Sequence, residues 1–337
     1  MEIKELDRQL SSGNIGRLYF FCGEEQFLME NKLASMKKKL VADGAEEFDY
    51  IKLEGKKVTA DEIIAAMQTV PVMSEKVLIV IRNSGMLENA NAKGFSKLKE
   101  ELAEIPDYMC VVFTERDFNK KKEKNLEIFK SGGGGAVRFD YLTSKQLELW
   151  LEKLFEKEEK RILSGELSEI VDRCACSMAS IHSEYLKLLS FVGDREKITA
   201  EDVRAVVPKS VDARIFDVID SIALGKGEKA FEELKALADS GENPSVIMSL
   251  LSGRMSELLM VKQLSAERVD AKKMYDYFEP KRPSFVINKY IGQCRAFSEG
   301  YLRRMTLKGL EYTAAVREGK LDRWAAVEMY TAEMIKK

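Results

Sequence analysis

LYFFCGEEQFLMENKLASMKKKL, residues 18–40, reads as an apolar strand, a single glycine and then a helix. In an open α/β protein the turn between such a strand and helix is a ready phosphate site, because the free N–H groups of the helix start point into it. A working phosphate loop needs Gly-x-x-x-x-Gly-Lys-Ser/Thr. Counted from Gly23, the second glycine falls on Leu28, the lysine on Met29 and the hydroxyl on Glu30. Glu24 and Glu25 stand at the helix start instead. Their charge complements the positive end of the helix dipole and repels a triphosphate. The segment therefore has the outline of a nucleotide-binding turn without its chemistry. By themselves these residues also fit a plain strand–helix turn.

The alternation continues outward. Strand-like runs fall at 48–53, 76–81, 109–114 and 136–139, with helical patterns between them. KVLIVIR and MCVVF are almost continuously apolar and rich in β-branched residues, as in strands covered on both faces of a parallel sheet. Strand–helix alternation over the first 140 residues predicts an open α/β domain. GGGG at 132–135 precedes the last strand and reads as a mobile turn. It lacks a following Lys-Ser/Thr and does not open a helix, so it is not read as a phosphate cradle.

After residue 141 the strand signal ends. Thr-x-x-Gln at 143–146 and Thr-x-x-Asp at 199–202 are helix starts of the kind already present at 59–62. From 211 onward the pattern is helical, and Pro208, Pro244, Pro280 and Pro283 fall at segment boundaries. The predicted organisation is an α/β domain over 1–140, a small helical domain over 141–208 and an all-helical domain over 209–337. No apolar run of 18 residues exists, so no spanning segment is expected. Five scattered cysteines fit reduced thiols and a cytoplasmic setting.

The formal net charge is −2, which favours no class of partner. Its distribution is uneven: residues 268–323 hold 13 Lys+Arg against 7 Asp+Glu. Such a stretch can follow a phosphate backbone, and a solvated helix face is the commoner meaning. Arg303 and Arg304 are the candidates for DNA contact. NKKKEK, 119–124, fits a DNA contact or, more commonly, a solvated helix start.

In order along the chain, YFFCGEEQFLMENKL, MQTVPVMSEKVLIVIRN, LTSKQLELWL, ITAEDVRAVV, RIFDVIDSIALGKGEKAFEEL and AFSEGYLRRMTLKGLEYTAAVREGK resemble segments of the delta subunit of bacterial DNA polymerase III, a clamp-loader subunit. The resemblance implies an AAA+-like α/β domain without a working nucleotide site, a helical lid and a helical collar. It implies a non-catalytic subunit, no cofactor, and no metal. The implied partners are the sliding clamp, the loader's tau/gamma ATPase subunits, its delta-prime subunit, and primed DNA within the complex. The subunit's expected role is to grip the sliding clamp and favour its open form. The implied clamp-binding element is Val70, Pro71, Val72 and Met73, at the end of the helix before the third strand. Many members carry a leucine and an aromatic where this chain has Val72 and Met73.

Two other readings remain at the level of sequence: an inactive AAA+ paralogue acting as adaptor in another complex, and an α/β enzyme working at its strand ends. The latter lacks a His, Cys or paired-carboxylate constellation near the strand termini. His182, the sole histidine, sits in a helical pattern and reads as structural or surface. Cys174 and Cys176 have no second pair to complete a zinc site. Asp-Arg-Cys at 172–174 lacks the serine of a loader arginine finger, and Arg173 reads as a surface residue.

Overall fold

The strand β1 (Leu18–Cys22) is buried along its whole length, and its side chains part by parity. Leu18, Phe20 and Cys22 enter one apolar cluster, whereas Tyr19 and Phe21 enter another. Alternation across a pleated strand makes this division, and only a sheet covered on both faces needs both halves apolar. The structure, a computed structural model, describes residues 1–88, 94–116, 118, 126–129, 132–279 and 281–336. Its contacts divide the chain into two units, Met1–Tyr141 and Leu142–Lys337.

In the first unit β1 is joined by β2 (Tyr50–Glu54), β3 (Val77–Arg82), β4 (Met109–Glu115) and β5 (Gly135–Arg138). Their order is β2-β3-β4-β1-β5 and all pairings are parallel. One face of the sheet packs on helices α1 (Ile3–Ser12) and α2 (Gln26–Leu40) through Leu6, Leu10, Met29, Leu33 and Met36. The other packs on α4 (Ala60–Met67) and α5 (Phe95–Ala103) through Ile63, Met67, Leu98 and Leu102. Between α2 and β2 lies a single helical turn, α3 (Glu46–Asp49). The predicted strand over 48–53 therefore starts two residues late.

The glycines before β5 form no free turn. A Cβ on Gly134 would stand 2.0 Å from the Leu18 carbonyl oxygen, and the Gly132 carbonyl accepts the Arg17 N–H at 2.7 Å. The chain is packed against the entry to β1, and β5 begins within the run, at Gly135 opposite Tyr19. Glycine serves close backbone approach here.

The second unit is helical: α6 (Ser144–Lys157), α7 (Ser164–Arg173), α8 (Met178–Val192), α9 (Ala200–Val206), α10 (Val211–Ala223), α11 (Gly227–Asp239), α12 (Pro244–Ala266), α13 (Ala271–Met274), α14 (Ser284–Cys294), α15 (Glu299–Arg317) and α16 (Arg323–Ile335). The capping boxes read from the sequence are formed at Thr59, Thr143 and Thr199, each hydroxyl accepting the N–H three residues on. Pro244 occupies the first turn of α12, where its missing N–H has no intrahelical partner to lose. Pro280 lies outside the described residues. Helices α10 to α16 share one apolar core, with Leu251, Met255, Leu258, Leu302, Met305 and Tyr330 fully buried.

Candidate functional site

The turn after β1 is closed by its own chain. Gly23 has φ +126°, and a Cβ there would lie 2.3 Å from the Phe139 carbonyl oxygen. That carbonyl accepts the Glu25 N–H at 2.9 Å, while the Phe139 N–H donates to the Cys22 carbonyl at 2.7 Å. The N–H group that a phosphate loop would turn toward an anion is thus committed to the residue leaving β5. Sequence inspection gave no sign of this plug, because Phe139 reads only as the apolar end of a strand.

The six residues of the degenerate loop have separate fates. Glu24 and Glu25 are buried. Burial pushes the Glu25 carboxyl above its ordinary range, against the opposing hydrogen bond from the Phe27 backbone. Glu24 lies 4.0 Å from Arg138, and among the described residues its Oε2 has no hydrogen-bond partner. Met29, in the lysine position, is fully buried beneath the sheet, and Leu28 packs beside the same cluster. Glu30, in the hydroxyl position, forms a two-point ion pair with Arg82, one bond of which is 2.8 Å. A hydrophobic anchor and an ion pair to β3 stand where the lysine and the magnesium ligand would be.

A different arrangement occupies the loop between α4 and β3. Val70, Val72 and Met73 are 58%, 65% and 58% exposed, with Pro71 partly covered among them. Leaving a large apolar side chain in water forgoes up to ~1.5–3 kcal/mol of burial, so three together make a costly surface. The loop has a defined shape nonetheless. Asp49, at the end of α3 and wholly buried, takes the Val72 N–H on Oδ1 at 2.7 Å. Its Oδ2 takes the N–H groups of Met73 and Ser74 at 2.9 and 2.6 Å. The Ser74 hydroxyl accepts the Ala42 N–H at 2.8 Å. Among the described residues no Lys or Arg nitrogen lies within 4.0 Å of the Asp49 carboxylate. Burial pushes its pKa up, and the three backbone N–H groups with the Ser74 hydroxyl outweigh that and hold it at about 2.

Asp49 was missed in the sequence because the predicted strand ran through it. A lone aspartate ahead of a strand gives no hint that its partners are amides 23 to 25 residues away. Since all strands are parallel, the two sites fall at opposite ends of the sheet. Gly23 follows the carboxyl end of β1, whereas Asp49 and Val72 precede the amino ends of β2 and β3.

The remaining candidates are dispersed. Arg303 and Arg304 are exposed on α15; Arg303 pairs with Glu299 at 3.0 Å, and Arg304 lies over the Tyr301 ring. Residues 119–124 lie outside the described residues. His182 is set among the rings of Trp150 and Tyr185. Arg173 is not a free surface residue. Its guanidinium donates to Glu169 Oε1 and to the Val207 carbonyl at 2.8 Å, tying α7 to the chain leaving α9. All five cysteines are free thiols, and among the described residues no cluster of three metal-ligating side chains forms. No helix among the described residues is long and apolar enough to cross a membrane.

A five-stranded parallel sheet flanked by helices, followed in the chain by helices alone, defines an open α/β protein with a helical C-terminal region. Comparison with known proteins narrows the class. The sequence model described as DNA polymerase III, delta subunit, matches residues 19–132, and the model of that subunit's C-terminal domain matches residues 212–334. The chain belongs to the DNA polymerase III delta subunit family. It is 23% identical to the DNA polymerase III subunit delta of Bacillus subtilis over 98% of its own length and 96% of the relative's. It is 23% identical to a probable DNA polymerase III subunit delta of Aquifex aeolicus, over 86% and 83% of the two chains. A solved Bacillus subtilis DNA clamp loader delta protein shares the fold, with a TM-score of 0.82 at 23% identity, covering 99% of this chain and 100% of that one.

Proposed function

We propose that this protein is the clamp-gripping subunit of a bacterial clamp loader, non-catalytic by itself, and that Val70, Pro71, Val72 and Met73 are its contact with the sliding clamp. The observation that carries this reading is the exposed apolar loop on a buried carboxylate, in a chain of the delta family. A small apolar protrusion rimmed by polar groups suits a pocket on another protein. Met73 is unbranched and adapts to an irregular pocket. The closed turn at Gly23 supports a subunit that leaves ATP work to its neighbours.

Such a subunit acts by population shift. A ligand that binds the open ring better than the closed one favours opening by that difference in affinity and by no more. A 100-fold preference corresponds to about 2.7 kcal/mol. In this reading residues 1–140, 141–208 and 209–337 serve as the AAA+-like, lid and collar domains. The collar packs with the tau/gamma and delta-prime subunits, and the assembly meets primed DNA in the cytoplasm.

The test is the affinity of the purified protein for the sliding clamp, wild type against Met73→Asp. A charge driven into an apolar pocket costs several kcal/mol, so binding is expected to fall by at least ~100-fold. The melting temperature should hold, because the side chain is exposed in the free protein. A folded variant that binds the clamp as tightly as wild type removes the assignment.

A further inference from the structure

The loop carrying Val70, Val72 and Met73 poses a physical problem. Three large apolar side chains on a short irregular segment would gain by folding down against their own domain, and the loop would then offer a partner nothing fixed to hold. The structure opposes that collapse chiefly through one buried side chain. Asp49 is removed from water and, among the described residues, has no cation within 4.0 Å, so its charge is stabilised by the N–H groups of three successive residues, Val72, Met73 and Ser74, and by the Ser74 hydroxyl. Two of those three residues are the exposed apolar ones. The Ala42 N–H to Ser74 Oγ bond fastens the loop at a second point. Ala42 and Asp49 bracket the connection from α2 to β2, so both fastenings come from one short segment. Backbone amides spent on Asp49 leave the side chains no choice but to project outward.

We propose that Asp49 is the positioning residue of this docking loop: its buried carboxylate holds the amides of residues 72–74 so that the sliding clamp meets a preformed apolar surface. The inference rests on the clamp-binding reading above and adds a determinant of affinity that does not itself touch the clamp. Ordering a loop before contact removes part of the entropy cost of association. A loop competent for only a fraction of the time binds with an affinity reduced by that fraction.

The test uses the full-length protein and the sliding clamp, with Asp49→Asn beside Met73→Asp. Asparagine keeps the shape and removes the charge, and its NH2 group faces backbone donors. Amide exchange at residues 72–74, read by NMR, should quicken in Asp49→Asn while the rest of the sheet keeps its protection. Clamp affinity should fall roughly tenfold or more. Combining Asp49→Asn with Met73→Ala should cost less than the sum of the two separately, because both act through the same loop. A merely structural role would give additive losses and exchange spread over the whole first unit.

Faster exchange at 72–74 with wild-type clamp affinity overturns the inference and leaves the docking reading intact. Wild-type affinity in a folded Met73→Asp overturns the docking reading itself, so the two failures are distinguishable. If Asp49→Asn does not fold, Ser74→Ala takes its place. It removes the hydroxyl that accepts the Ala42 N–H and should weaken binding by roughly threefold; no weakening would count against the proposal.

Discussion

The carbonyl oxygen of Phe139 lies 2.9 Å from the backbone nitrogen of Glu25, and it fills the position that an anion would need at the start of α2. The contact is possible only because residue 23 carries no Cβ. Gly23→Ala places a methyl group 2.3 Å from that oxygen, at a φ that L residues rarely adopt. The expected cost is at least ~3 kcal/mol of stability, measured by urea unfolding followed through amide-exchange protection of the first unit's sheet. An unfolding free energy within error of wild type would show that the turn can open without penalty.

The same contact bears on attempts to rebuild a phosphate loop. The triple variant Leu28→Gly, Met29→Lys, Glu30→Ser restores the consensus side chains and leaves Phe139 and the buried Glu24 and Glu25 in place. It should not bind ATP with micromolar affinity, and it should be less stable, because Met29 loses its buried site and Arg82 its partner. Isothermal titration with Mg-ATP reads the first expectation, and thermal melting the second.

Asp202 provides a pH-dependent test of the second unit. Arg195, bonded to both carboxylate oxygens at 2.8 and 3.2 Å, is the main cause holding its pKa at about 2; burial opposes this, and Thr199 adds to it. The folded value is below the ordinary 3.8, so the stabilisation is fully present above 3.8 and is lost as pH falls toward 2. Asp202→Asn should cost about 1–2 kcal/mol near neutral pH, from the capping box and the charged pair together. The gap between variant and wild type should narrow below pH 4. A gap that widens in acid would reverse the assigned sign.

Arg254 is 5% exposed, with its guanidinium 3.8 Å from the centre of the Phe216 ring and 4.6 Å from that of Tyr290. Among the described residues its Nε and Nη1 have no hydrogen-bond partner, Nε keeping only a 3.6 Å ion pair with Glu257, and burial lowers its pKa. Its neighbour Glu257 retains Arg282 at 2.6 Å and the Tyr290 hydroxyl at 2.7 Å. Arg254→Met, which keeps the packed stem and removes a poorly satisfied charge, should therefore lie within ~1 kcal/mol of wild type. Arg254→Ala should lose ~2–4 kcal/mol through the cavity between the rings. Equal losses in the two variants, read by chemical denaturation, would show that charge rather than volume matters there.

In the assembled loader, Arg303→Ala with Arg304→Ala tests whether α15 follows DNA. Each phosphate contact adds about 0.9 to the slope of log affinity against log salt. Loss of two contacts should reduce the slope by roughly 1.8. An identical slope places both arginines away from the backbone.

The parts of the fold visible in the sequence were those with short-range causes. KVLIVIR had to be a doubly covered strand, and the Thr-x-x-Glu/Gln/Asp helix starts appear as capping boxes because their partners are three residues away. The replacements at Leu28, Met29 and Glu30 were equally plain, since a consensus fixes where the missing residues should be. What escaped notice depends on contacts between distant segments. The Phe139 plug joins residues more than a hundred positions apart, and Asp49 sits where a strand was expected because one helical turn delays β2. Arg173 reads as a surface residue because the Val207 carbonyl that holds it lies 34 positions away.

The parallel sheet separates the two ends of the first unit by the length of a strand, ~17–20 Å. Effects at such distances combine independently. Substitutions in the turn at residue 23 and in the loop at residue 72 should therefore add in their effects on stability. Each rim of the domain can be altered without reshaping the other.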